Sequence, residues 1–467
     1  MVKVSATAPP PTQRGPPVGV GSAAEPAREA AWPRPAYAWY VVGVLLVAYA
    51  FAIVDRTAIG LLVDPIKTSL HISDTQIGLL QGLAFAICYT TFGLPLGYLA
   101  DRGRRKTLLT LGVAAWSAAT IFCGLARSFG VLFAARVGVG IGEASVTPGS
   151  GSMIADLFPP QQRSKAYGLW MLGGSAGIGL STLFAAAAIW IADKLHAGGV
   201  AWATHLAVWQ VTFILVGAPG LLIALIMALT VREPARRGPA VAAGGFPFRP
   251  VWQALRAKPA AYLALGGGAV LNVTCIYAQI GWMPALFMRV FHWGPIQIGP
   301  AFSAISLVFG MSGALIAGWT MAWLARRGRR DAPILISMGH SLATLLFGVA
   351  ACLSPRPEIT LGFNGLAAIA STWSYAAAMT GLNQITPNQL RGQIMALYTL
   401  GTGLVSMTAG TLLVGLLNDN VFRAPTGVAA GLASVYAACS ILALSVQAAG
   451  RNAYAGAERE AVVTQPA

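Results

Sequence analysis

The sequence predicts an all-α membrane protein of twelve transmembrane helices in two pseudo-symmetric six-helix bundles. Three observations carry that prediction. Of 467 residues, 56% are hydrophobic and only 10% charged, against roughly 25% charged in soluble proteins, so most of the surface does not face water. Apolar runs of about 20 residues, enough to cross about 30 Å of hydrocarbon as a helix, recur along the chain. Two motifs also repeat: LADRGRRK (Leu99 to Lys106) returns as LARRGRRD (Leu324 to Asp331), and PPQQRSKAYGLW (Pro159 to Trp170) as TPNQLRGQIMALY (Thr386 to Tyr398), at offsets of about 225 and 228 residues.

The apolar runs place spans at 38–64, 77–100, 107–127, 130–154, 164–190 and 207–231, then at 260–289, 297–324, 332–353, 358–385, 392–417 and 425–448. Helices are required because lipid offers the backbone no hydrogen bonds. The tail over 1–36 is rich in Pro, Ala and Gly, builds no core, and is expected to be disordered. It is followed by the first bundle (37–231), a cytoplasmic linker (232–258), the second bundle (259–448) and a C-terminal tail (449–467), also expected to be disordered from about 450.

Lysine and arginine set the orientation. With the N-terminus inside, the inner segments hold about 23 of the 31 basic residues, the outer loops six, and the spans two. Both termini are thus expected in the cytoplasm and the chain in the inner (plasma) membrane. The net charge of +16 reports this topology and contact with anionic membrane lipid, not binding to nucleic acid. Cys88, Cys123, Cys275, Cys352 and Cys439 lie in or beside apolar runs with no CxxC pair; reduced thiols are expected, with no disulfide framework, no metal site and no cofactor. GVGIG (Gly138 to Gly142) lacks the spacing and preceding strand of a nucleotide loop and reads as close helix packing. No oligomerisation signal stands out, so a monomer is expected. No catalytic residue is expected; an enzyme or receptor is the least supported class.

Of fifteen acids, only Asp55 and Glu143 sit deep in spans. Ionisable groups inside a membrane are rare and usually functional. A carboxylate caught between desolvation and a nearby cation can exchange a proton near neutral pH, so Asp55 and Glu143 are the expected proton-coupling pair. Arg56 is one helical step, about 100°, from Asp55 and faces another helix or an anionic substrate head. Arg136 and Glu143, seven apart, share one face of span four. The expected cycle has the acids take up protons and release Arg56 or Arg136 to an anion; the alternative is a permanent ion-pair network. In the second bundle the candidate substrate contacts are Asn272, Tyr277 and Gln279 of span seven and Trp373 and Tyr375 of span ten. They serve equally well as interhelical hydrogen bonds.

GYLADRGRRK (Gly97 to Lys106) resembles the loop signature of the major facilitator superfamily, with Arg326 replacing the aspartate in the second copy. DRTAIGLLVDPIK in span one, RVGVGIGEASVTPGSGSMIADLFPPQQRSKAYG from Arg136 and GWMPALFMRVFHW from Gly281 resemble the Spinster subfamily. The likeness covers nearly all of 38–448. It implies the major facilitator fold, alternating access, and transport of lipid-like amphiphiles such as lysophospholipids or sphingoid phosphates. The Asp-Arg pair and Gly-x-Gly-Glu-Ala also occur in proton-driven organic-anion symporters of the superfamily. The resemblance further implies a gating network of Gly97, Asp101, Arg102, Arg105 and Asp156, with Asp101 capping the N-terminus of span eleven.

The expected function is secondary active transport of an anionic, lipid-like amphiphile, coupled to protons. The runner-up is proton symport of a small organic anion such as a sugar acid. A cavity with an uncharged second-bundle wall favours the first; a second cavity cation favours the other.

Overall fold

A computed structural model describes residues 32–237 and 248–464; the disorder expected before residue 32 lies outside them. Eleven helices among the described residues are long and apolar enough to cross a membrane: Pro35–Leu61, Asp74–Arg102, Arg105–Cys123, Phe129–Leu157, Pro160–Ala197, Val208–Thr230, Pro259–Val290, Pro295–Arg326, Ala332–Leu353, Asn388–Phe422 and Pro425–Ala461. These are spans one to nine, eleven and twelve. Span ten consists of two helices, Pro357–Ala370 and Trp373–Ile385, joined by a turn at Ser371 and Thr372. Span four turns at Ala144 and Ser145, 227 residues earlier. The internal repeat is therefore visible in the backbone as two broken helices.

Local sequence sets many of the boundaries. Proline sits in the first turn of spans one, five, seven, eight, nine and ten, where its missing N–H has no intrahelical partner in any case. Ser73 opens span two with a capping box to Gln76, and Ser128 caps span four. Within the first bundle the GVGIG run lets helices touch. A Cβ on Gly140 would lie 2.5 Å from the Phe85 carbonyl oxygen, and one on Gly142 2.6 Å from the Trp116 nitrogen.

The linker carries structure of its own, and one expectation fails. The linker contains a helix, Phe248–Ala257, which carries apolar Val251, Trp252 and Leu255 beside Arg249 and Arg256; its remaining stretch, 238–247, lies outside the described residues. The C-terminal segment expected to be disordered is helical to Thr464. Its Tyr454 is buried and its hydroxyl donates to Gly381 O at 3.2 Å and Gln384 Oε1 at 2.9 Å. Alanine and tyrosine thus pack the extension against span ten, which composition read as a loose tail.

The bundles meet at the end opposite the basic loops. A Cβ on Gly78 of span two would lie 2.6 Å from the Thr411 carbonyl oxygen of span eleven, and Thr411 donates to Gly78 O at 2.8 Å. Thr182 of span five meets Gly299 and Ser303 of span eight at 3.2 and 3.1 Å. Beyond them Arg289 donates to Asp74 at 2.6 Å and pairs with Asp64 at 2.7 Å. Asp419 accepts from the backbone N–H groups of Asp74 and Thr75 at 3.1 and 2.7 Å, capping span two. At the basic end the ion pairs close within each bundle: Arg105 with Asp156 and Glu233 in the first, Asp331 with Arg329 and Arg451 in the second.

Candidate functional site

Span one delivers Asp55 and Arg56 to different partners. Arg56 Nη2 donates to Glu143 Oε2 at 2.6 Å. Arg136 Nη1 lies 4.0 Å from Asp55 Oδ1, and Thr120 of span three donates to Asp55 Oδ2 at 2.6 Å. Two residues one step apart on span one therefore meet two residues two turns apart on span four. Asp55 is 2% exposed, Glu143 1% and Arg136 0%.

The network is under-satisfied. Asp55 Oδ1, Glu143 Oε1, Arg56 Nε and all three guanidinium nitrogens of Arg136 have no hydrogen-bond partner among the described residues. Buried charges are costly unless their remaining lone pairs and protons are engaged.

Aromatic rings surround Arg56. Its Cζ stands 4.3 Å from the Phe85 ring centroid and 4.9 Å from that of Tyr89, within reach of the attraction between a cation and a ring face. Tyr277 of span seven stands beside it from the other bundle. Tyr49, stacked on Trp170 at 5.0 Å, also lies near it, and Tyr375 stands further out, beside Tyr89 and Tyr277. Tyr277 and Tyr375 were expected here. Tyr49, Phe85, Tyr89 and Thr120 were not, although Tyr49 and Arg56 are seven apart and so share a helix face.

Three candidate substrate contacts make hydrogen bonds between helices of the second bundle. Asn272 is fully buried; it donates to Ser337 O at 3.2 Å and accepts from Ser341 at 2.8 Å, tying span seven to span nine. Gln279 donates to Asn364 of span ten, and the Trp373 indole donates to Gly313 O of span eight at 3.0 Å. A buried amide or indole N–H needs a partner, and neighbouring helices of the second bundle supply it.

The gating residues also differ from expectation. Arg105 pairs with Asp156, and its Nε donates to Glu233 at 2.8 Å. Asp101 is exposed; its backbone carbonyl accepts from Arg236, and its carboxylate caps no helix, since the start of span eleven has no side-chain cap. Arg102 lies over Tyr98 of its own span. Gly97 faces Pro148 of span four, where a Cβ would sit at 3.7 Å. The expected cap on span eleven is not formed. Glu233 and Arg236 take part instead. Among the described residues no group of three His, Cys, Asp or Glu side chains is placed to hold a metal ion.

Comparison with known proteins fits this architecture. A family model of the Major Facilitator Superfamily matches residues 45–339. The chain is 28% identical over 392 residues to an MFS-type efflux pump of Mycolicibacterium smegmatis, covering 83% of this chain and 86% of that one. It is 26% identical to a sphingosine-1-phosphate transporter of Xenopus tropicalis, over 87% and 78% of the two chains. A probable galactarate/D-glucarate transporter of Bacillus subtilis is 29% identical over 42% of this chain and 41% of its own. The crystal structure of a bacterial homologue of the human lysosomal transporter Spinster, inward-facing and unoccupied, superposes with a TM-score of 0.73 at 26% identity, covering 93% of this chain and all of that one. With twelve spans in two related bundles around an intramembrane charge cluster, the chain belongs to the Major Facilitator Superfamily as a Spinster-like transporter.

Proposed function

We propose that this transporter moves an anionic, lipid-like amphiphile of the lysophospholipid or sphingoid type by alternating access, with proton coupling through Asp55 and Glu143. The observation that carries the reading is the setting of Arg56: one guanidinium, shared with a single carboxylate, among the rings of Phe85, Tyr89 and Tyr277. The second bundle contributes a ring and no charge to that setting. Such a site takes an anionic head on the cation and apolar surface on the rings. Protonation of Glu143 frees Arg56 for the anion, and protonation of Asp55 does the same for Arg136. By the distribution of basic residues, the basic end faces the cytoplasm and the chain lies in the inner (plasma) membrane with both termini inside.

A small organic anion such as a sugar acid is the second reading. Arg136 favours it, as a second buried cation whose nitrogens carry no hydrogen bond among the described residues. Binding by the purified protein at pH 5.5 and 7.5 separates the two. Lysophospholipids and sphingoid phosphates would bind in a pH-dependent manner that Glu143→Gln alters. Binding of sugar acids alone would discard the amphiphile.

A further inference from the structure

The helix Phe248–Ala257 and the basic-end parts of spans seven, ten and eleven enclose a cavity of about 440 Å³. Leu255, Leu263, Leu382, Ile394 and Leu397 form its wall. Two features interrupt the apolar lining. Arg256, exposed at the rim, stands 4.8 Å over the Trp252 ring and has no acidic partner among the described residues. Tyr398 is 6% exposed, and its hydroxyl has no hydrogen-bond partner among the described residues. The Tyr398 ring also lies 6.2 Å from that of Tyr375, which neighbours Tyr89 and Tyr277, so this one side chain leads from the groove toward the rings around Arg56.

Each feature restricts the occupant. The apolar wall takes a hydrocarbon chain. The unpaired guanidinium takes an anion, phosphate above all, because its planar fork matches those oxygens. The helix carries Arg249, Arg256 and Trp252 without an acid, the composition of a helix lying in the membrane surface beside anionic headgroups. A buried hydroxyl without a partner marks the inner end as a place for a polar ligand atom.

We propose that this groove is a side port through which a single-chain anionic amphiphile leaves the leaflet for the central site. Its phosphate rests on Arg256, its chain lies along spans seven and eleven, and Tyr398 is the joint between the groove and the rings around Arg56. The proposal rests on the amphiphile reading above and adds the route.

The test uses the full chain in liposomes and a lysophosphatidic acid with a photoactivatable tail. Crosslinked peptides are mapped by mass spectrometry. Crosslinks are expected on 255–270 and 394–398. Arg256→Gln, an exposed change, should weaken labelling of the groove about tenfold, the loss expected for one charge-assisted contact. Leu397→Trp, which fills the groove, should slow uptake of the probe. Arg56→Ala should abolish uptake and leave groove labelling intact. Labelling of the Tyr277 and Tyr375 peptides with none in the groove would overturn the port and leave the amphiphile reading standing. Groove labelling displaced equally well by a diacyl phosphatidic acid would mark a resident-lipid site and also overturn the port. If neither site is labelled while a sugar acid is taken up, both readings fall.

Discussion

Arg56 and Glu143 are 87 residues apart in the chain and 2.6 Å apart in space, with the carboxylate 1% exposed. Among the described residues Glu143 is the only acid in hydrogen-bond contact with Arg56, so in the proposed cycle its protonation changes what the guanidinium can bind. Glu143→Gln should flatten the response of transport to pH, with the remainder carried by Asp55, read as uptake rate against external pH. Arg56→Ala should weaken binding of an anionic ligand about tenfold to a hundredfold, the equivalent of 1.5–3 kcal/mol for a charged hydrogen bond. Arg56→Lys should not restore it, because the planar group over Phe85 and Tyr89 is lost.

Asp55 and Arg136 form a looser pair, 4.0 Å apart, with Thr120 holding the other carboxylate oxygen. Asp55→Asn removes the one carboxylate within ion-pair distance of Arg136 among the described residues, a guanidinium with no exposure. An uncompensated buried charge costs about 3–5 kcal/mol, so the purified variant should melt well below the parent. Asp55→Asn combined with Arg136→Gln should recover most of that loss, since the destabilisation lies in the unpaired charge. A double mutant as unstable as the sum of the two single changes would show that the residues act separately.

The spans, the two bundles and the intramembrane charges were legible because each follows from hydropathy, a repeat or a residue type rare in lipid. The face presented by each polar residue of the second bundle was not. Asn272, Tyr277 and Gln279 all sit in one oily helix, and only its rotation against spans nine and ten separates the tyrosine that reaches Arg56 from the amides bonded to Ser337, Ser341 and Asn364. The partner of Asp101 was illegible for another reason: it depends on which end of the transporter is open. The partner of Arg105 was within reach. Arg105 pairs with Glu233, and Arg330 with Glu458, each at 2.8 Å. Both residues of the second pair stand 225 positions beyond those of the first, the offset of the loop motif. Extending the repeat past the motif would have found Glu233.

The closed end is held by a compact cluster. Asp419 caps span two through the N–H groups of Asp74 and Thr75, while Arg289 bridges Asp74 and Asp64. Removing a helix cap costs about 1 kcal/mol, enough for a roughly fivefold shift in a two-state equilibrium. Asp419→Ala should therefore enlarge the population open at this end. Spin labels on residues 71 and 422 would read it as a longer distance. An unchanged distance distribution would show that the small-residue contacts of Gly78 and Gly82 hold the closure alone.

Asp331 stands just before span nine and receives Arg329 at 2.9 Å together with Arg451 of span twelve. These two cations, Arg329 foremost, hold its carboxyl at about 2, below the ordinary aspartate value of 3.8. A carboxylate depressed in the folded state adds stability above its unfolded value near 4, and that contribution fades as pH falls toward 2. Arg329 and Arg451 are partly solvated, with side chains 44% and 40% exposed, so screening limits the contribution to about 1 kcal/mol. Asp331→Asn should lower the melting temperature by a few degrees at pH 7. The gap to the parent should narrow below pH 4 and close near pH 2. A gap that stayed constant over that range would assign the loss to packing at the mouth of span nine, because only the charged form of Asp331 attracts the two arginines.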